Sequence, residues 1–259
     1  MDIKKTLYAL LLVVASNTSQ ALNPTSGVYG GIIVGVSKEL NIDSPFLGKL
    51  VTAVANSSSP YAVQAQEILN SGIQASYGIN YGVMGLVGGQ LGYRWDKYRL
   101  EAQFLYNAAP YNSINFSTYQ KSFSISNDNT NPNYITGNTY TLAFMCNAYL
   151  DLLPPDNVDS SIAPFLGIGA GYASIQNNFG FYYNQTEVPQ SSASFSQGAG
   201  AGQVMAGVLY FLDDFAYFGL DVRFFSTTKL SSQVPYSQAN YYAQFASLNL
   251  TFNGAFNFG

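Results

Sequence analysis

Ala239–Gly259 reads A-N-Y-Y-A-Q-F-A-S-L-N-L-T-F-N-G-A-F-N-F-G. Taking every second residue back from Phe258 gives Phe256, Gly254, Phe252, Leu250, Leu248 and Ala246. The other parity gives Asn257, Ala255, Asn253, Thr251, Asn249 and Ser247. Successive side chains of a strand point to opposite faces, so one face here is mostly apolar and aromatic and the other small and polar. Lipid outside a polar interior produces that pattern. A soluble antiparallel sheet with one face on a core produces it as well.

The start of the chain separates the two environments. Lys4 and Lys5 precede the apolar run Leu7–Ala15, and Ser19-Gln20-Ala21 closes it with small residues at its outer positions. That layout predicts a cleaved secretory signal over 1–21 and a mature domain over 22–259. The apolar run is far shorter than the ~20 residues a membrane-spanning helix needs. Beyond it no stretch approaches that length, although charged residues make up only 9% of the chain against a soluble norm of about 25%. Tyrosines number 21 and phenylalanines 18, a composition that suits a membrane environment. A spanning protein without spanning helices must be a closed barrel, because hydrocarbon satisfies no free backbone polar group.

Eight segments carry the alternation: Ser26–Lys38, Asn80–Trp95, Tyr98–Asn107, Asn138–Leu150, Ile162–Ile175, Gly198–Leu212, Phe215–Phe225 and the terminal one. Connections 39–79, 108–137, 176–197 and 226–238 are long, whereas those at 96–97, 151–161 and 213–214 are short. Short turns at one end and long loops at the other are the asymmetry of an outer-membrane barrel, with both termini on the periplasmic side. The expected fold is therefore all-β: an eight-stranded antiparallel up-and-down transmembrane β-barrel with long extracellular loops. A further hairpin hidden in the first or second long loop would make ten strands. Within the first loop, Ser44-Pro45 and Ser59-Pro60 each offer an N-cap followed by proline, which predicts two short helices.

Inward parity collects the few charges. Arg94, Arg99, Glu101, Asp221 and Arg223 all fall on it, and an eight-stranded barrel has an interior only wide enough to be filled by side chains. Charges buried there must pair. An internal ion network holding the barrel shut is expected, in preference to a catalytic or conducting site. A net charge of −4 disfavours nucleic acid as a partner. Cys146, the only cysteine, cannot form an internal disulfide and falls on the apolar parity. Gly198-Ala199-Gly200-Ala201-Gly202 lacks the helix that a phosphate-cradling loop requires. No catalytic, cofactor or metal residue is assigned.

Gly92-Tyr93-Arg94-Trp95, Leu100-Glu101-Ala102-Gln103, Asn147-Ala148-Tyr149-Leu150-Asp151, the stretch Ala163–Tyr172 and the aromatic C-terminal strand resemble the small outer-membrane barrels of the OmpA/OmpX-like, opacity-type and surface-antigen kind. That resemblance implies residence in the outer membrane of a Gram-negative bacterium, with outer-membrane lipid and the barrel assembly machinery as partners. It also implies that Phe252, Phe256 and Phe258 form the C-terminal assembly signal, here followed by Gly259. Enzymatic barrels of similar architecture rely on a histidine base, and this chain contains no histidine. The expected role is a non-enzymatic surface protein that displays its loops to a host or surface ligand, adhesion included. A narrow pore or a transport barrel for small apolar molecules is the alternative.

Overall fold

A computed structural model describes residues 26–39, 55, 62–71, 76–117, 122–152, 161–183, 191–228, 230–233, 240–243 and 246–258. Strands β1 (Gly27–Glu39), β3 (Met84–Trp95), β4 (Tyr98–Ser117), β6 (Asn133–Asp151), β7 (Ile162–Tyr183), β8 (Ser191–Phe211), β9 (Ala216–Thr227) and β12 (Ala246–Asn257) pair antiparallel in a ring. β1 bonds β3 on one side and β12 on the other, and a β4–β6 ladder completes the circuit. Eight strands thus close without an edge, and ten are not required. The proposed signal over 1–21 and the first of the two expected loop helices lie outside the described residues. The second helix is present as α1 (Ala62–Ser71).

The exterior of this ring is the membrane-facing surface. Val28, Ile32, Val34 and Val36 on β1, Leu100 and Phe104 on β4, Leu166 and Ile168 on β7, Leu220 and Val222 on β9, and Leu250 and Phe252 on β12 are all exposed. A soluble sheet could not leave such rows bare, because apolar area costs about 25 cal/mol per Å² in water. From Val28 to Val36 there are eight rises of about 3.3 Å, which at a tilt of about 40° span roughly 20 Å, the height of a lipid-facing band. Tyr93, Trp95 and Tyr98 cluster near the β3–β4 turn, and Tyr106 stacks on Tyr140 towards the other end. These are the two aromatic girdles of an outer-membrane barrel. Lys38 follows Val36 on the same parity and donates to the Tyr81 carbonyl at 3.3 Å, which marks the upper limit of the band.

The tight turn at Asp96-Lys97 forms without glycine, Asp96 taking a left-handed φ of 55° that aspartate tolerates. At the opposite end, the structure replaces much of the expected loop with strand. β4 runs to Ser117 and pairs there with both β2 (Ser76–Tyr81) and β5 (Ser122–Ser126). The β7–β8 ladder extends to Phe181 opposite Ser191, and β10 (Leu230–Gln233) pairs β11 (Asn240–Ala243). Ile79, Ile114, Ile125 and Ile135 are buried in this upper part, and Tyr134 stacks on Tyr182 at 4.5 Å. Ordered hairpins with an apolar filling therefore stand above the membrane where solvated loops are expected from composition. The β5–β6 turn is held by Asp128, which accepts from the Thr130 amide and hydroxyl and from Asn131. Those hydrogen bonds hold its carboxyl below the usual carboxylate range.

Candidate functional site

The interior is stacked in four layers. Nearest the short turns, Ala163, Phe165, Leu209, Phe211 and Tyr217 close the lumen. Against and above them lies a charged layer in which Arg94, Arg99, Glu101, Asp221 and Arg223 are all buried and inward. Asp151 joins them and is central. Arg94 donates to it at 3.0 Å and the Arg99 Nε at 2.9 Å, while the Arg99 guanidinium also stands 3.8 Å from Glu101. Glu101 accepts from the Tyr29 hydroxyl at 2.7 Å and the Tyr149 hydroxyl at 3.1 Å, and from Gln103. Asp221 takes a bidentate fork from Arg223 at 2.9 and 3.1 Å and a third bond from Asn253 at 3.1 Å.

Arg223 and Gln203 both donate to the Gln103 carbonyl oxygen, at 3.1 and 3.2 Å, which links the two ion clusters. The Arg99 guanidinium lies over the ring of Tyr149 at 4.4 Å and that of Phe165 at 5.1 Å. Every strand of the ring contributes: Tyr29 from β1, Arg94 from β3, Arg99 from β4, Asp151 from β6, Phe165 from β7, Gln203 from β8, Asp221 from β9 and Asn253 from β12. Three guanidinium groups meet three carboxylates, so the layer is neutral without counter-ions.

Sequence parity places five of these charges and omits Asp151, because the fourth expected strand stops at Leu150. The signal was present: Thr141, Ala143, Met145 and Asn147 define the inward parity of β6, and two more steps reach Tyr149 and Asp151. The polar lumen expected from parity needs a correction above the charges. There Ile33, Leu86, Leu105, Met145, Ile175 and Phe225 form an apolar layer inside the barrel. Polar groups return at the top, where Tyr111, Thr139 and Asn177 interact. Among the described residues, every carboxylate of the charged layer is held by arginine or by hydroxyl and amide donors, and no group of three His, Cys, Asp or Glu side chains could hold a metal ion.

Outside, Cys146 is exposed. With Ala148, Ala170, Gly202 and Ser226 it floors a shallow groove of about 630 Å³ walled by Ile168 and Phe224. This depression belongs to the lipid-facing surface. Phe252, Phe256 and Phe258 also lie on the exterior. The Phe258 amide donates to the Val28 carbonyl at 2.8 Å, and its ring lies over Gly30.

No family model and no curated protein matches this chain. Solved structures with a similar course of chain include Neisserial surface protein A, at 12% identity over 90% of this chain and 98% of that one, with a TM-score of 0.47. The attachment invasion locus protein Ail of Yersinia pestis, in complex with the heparin analogue sucrose octasulfate, shares 8% identity over 89% and 99%, with a TM-score of 0.41. The outer-membrane protease OmpT of Escherichia coli shares 11% over 94% and 99%, also at 0.41. These barrels differ from one another in role, and the assignment of architecture here stands on the strand ladders and exterior described above.

Proposed function

We propose that the protein is a non-enzymatic surface barrel that does not conduct and presents ordered β-hairpins to the environment, with adhesion to a host or surface ligand as its role. The observation that carries this reading is the closed interior: a neutral arginine–carboxylate layer tied into all eight strands, covered by an apolar layer. An ion crossing it would have to shed its water at the apolar layer and displace buried charge pairs below. Above the membrane, β2, β4 and β5 and the β7–β8 extension form a platform with buried isoleucines, which suits contact with a partner better than a mobile loop does. The net charge of −4 in this chain argues for a neutral or cationic partner, in contrast to the heparin analogue sucrose octasulfate seen in complex with Ail. In the same reading the exterior phenylalanines Phe252, Phe256 and Phe258 serve as the C-terminal signal for the barrel assembly machinery.

Planar-bilayer recording of the refolded protein tests the closed lumen. The expected record has no discrete conductance steps in 1 M salt. Stable, reproducible steps would replace the display reading with a pore.

A further inference from the structure

The upper lumen holds a carboxyl group that, unlike those in the layer below, has no hydrogen-bond partner. Glu39, the last residue of β1, points inward and is 7% exposed. Neither carboxylate oxygen has a hydrogen-bond partner, and both are fully covered. The adjacent cation, Lys38, has the opposite parity and is engaged with the Tyr81 carbonyl. A carboxylate buried without donor or counter-ion is among the costliest arrangements a protein can hold.

Several oxygen-bearing residues stand beside it on the inner wall, next to the apolar Met84 and Phe225. Ser247 stands directly opposite Glu39 across the β1–β12 ladder, and Asn249 opposite Ser37. The Asn107 amide nitrogen donates to the Ser37 hydroxyl at 3.2 Å, which leaves the Asn107 carbonyl oxygen buried and without a partner. The Ser247 hydroxyl donates to the Asn249 carbonyl oxygen at 3.3 Å. The unmet atoms at this level, two carboxylate oxygens and an amide oxygen, are all acceptors, and the residues between them add hydroxyl and amide oxygens.

We propose that Glu39, Asn107, Ser37, Ser247 and Asn249 form a binding site for one small, hard, oxygen-seeking cation at the extracellular end of the lumen. Oxygen-only donor sets of carboxylate, amide and hydroxyl groups suit sodium, potassium and calcium and disfavour zinc or copper, which prefer imidazole and thiolate. A bound cation here would pin the end of β1 to β12 and to β4, at the point where the barrel gives way to the first long extracellular connection.

The test is isothermal titration of the refolded, metal-stripped barrel with calcium chloride, sodium chloride and zinc chloride, choline chloride holding ionic strength constant. Saturable one-to-one binding of calcium or sodium is expected, weakened at least tenfold in Glu39→Gln and several-fold in Asn107→Leu. It should be unchanged in Asp128→Asn, whose carboxylate is exposed. Which of the two ions saturates the site identifies the occupant. Binding equal in wild type and Glu39→Gln, loss in Asp128→Asn, a preference for zinc, or no saturable heat would each overturn the proposal. Should Glu39→Gln fail to refold, Asn107→Leu carries the same comparison.

Discussion

Asp151→Asn is the sharpest perturbation of the lumen. The substitution keeps the size of the side chain and one acceptor, but turns a neutral layer of three arginines and three carboxylates into one with an excess positive charge. Two guanidinium groups lose their shared counter-ion: Arg94, bonded at 3.0 Å, and Arg99, bonded at 2.9 Å. Arg99 retains Glu101 at 3.8 Å as its one carboxylate, with the Tyr217 hydroxyl at 3.4 Å and the Tyr149 and Phe165 rings, and Arg94 retains only its approach to the Phe211 and Tyr217 rings at 5.0 and 5.2 Å. Stranding one member of a buried ion pair costs about 3–5 kcal/mol. With a urea dependence of about 2 kcal/mol per molar, the unfolding midpoint in detergent micelles should fall by about 2 M. Tryptophan fluorescence reads the transition through Trp95. The double variant Arg94→Met with Asp151→Asn restores neutrality, since Arg99 and Arg223 then face Glu101 and Asp221, and should recover at least half of the loss. A single variant within about 0.5 kcal/mol of wild type, or a double variant showing only the sum of two independent losses, would refute the argument that charge balance in this layer holds the barrel closed.

Glu101→Ala removes the acceptor of Tyr29, Tyr149 and Gln103 but leaves Arg99 on Asp151; a melting temperature several degrees lower by circular dichroism is expected, a smaller effect than that of Asp151→Asn. Leu220→Arg places a charge at mid-height on the lipid face and should cost about 2–4 kcal/mol in vesicles, against about 0–1 for Val28→Arg near the interface; equal costs at the two depths would contradict the assigned membrane band. Gly171→Ala should destabilise strongly, because the added methyl would lie 1.9 Å from the Phe144 carbonyl oxygen, whereas Gly85→Ala meets nothing within 4 Å. The latter should be neutral or stabilise by up to about 1 kcal/mol, and denaturant titration of the pair separates the two outcomes.

Parity is legible in a sequence only where the two faces of a strand meet different solvents. In β12 lipid touches Leu248, Leu250, Phe252 and Phe256 while the lumen receives Ser247, Asn249, Thr251 and Asn253, so the alternation can be read residue by residue. Above the membrane both faces meet water or protein, and the contrast disappears. β7 after Ile175, the start of β8 from Ser191 and β4 after Asn107 therefore read as loop, although β7 and β8 continue their shared ladder and β4 goes on to pair with β2 and β5. The inner apolar layer left a different trace. Ile32-Ile33-Val34, Phe104-Leu105-Tyr106 and Phe224-Phe225 are runs apolar at both parities, and they occur where Ile33, Leu105 and Phe225 turn inward while their neighbours face lipid. Asp151 escaped for a simpler reason, since it lies one residue beyond the expected strand end. Glu39 likewise lies one residue beyond the expected end at Lys38, and nothing in the sequence reveals whether an inward carboxylate meets an arginine.

That last contrast bears on how the lumen is organised. Lower down, arginines and carboxylates come in equal number from β3, β4, β6 and β9, and every carboxylate there is met by donors, while Arg94 Nε, one Arg99 terminal nitrogen, the Asn147 amide nitrogen and the Gln203 amide oxygen are buried without a partner. The pairing of opposite charges is what allows an apolar layer to be stacked on it and the pair to fill a narrow barrel. At the extracellular end the carboxylate itself is left without a donor: both Glu39 oxygens are covered and unpartnered, as are the amide oxygens of Asn107, Asn133 and Asn138. If the end of β1 were held only by its backbone ladder, the buried, unpartnered Glu39 would favour separation of β1 from its inner neighbours, and the strand should fray from that end first. Hydrogen exchange tests this directly. Amides of Val36 to Glu39 should exchange faster than those of Tyr29 to Ile33 in cation-free buffer, and the difference should shrink by tenfold or more when the cation that fits the site is added. Uniform protection along β1 in both conditions would mean that Glu39 is already neutral and that the top of the barrel needs no ion to close it.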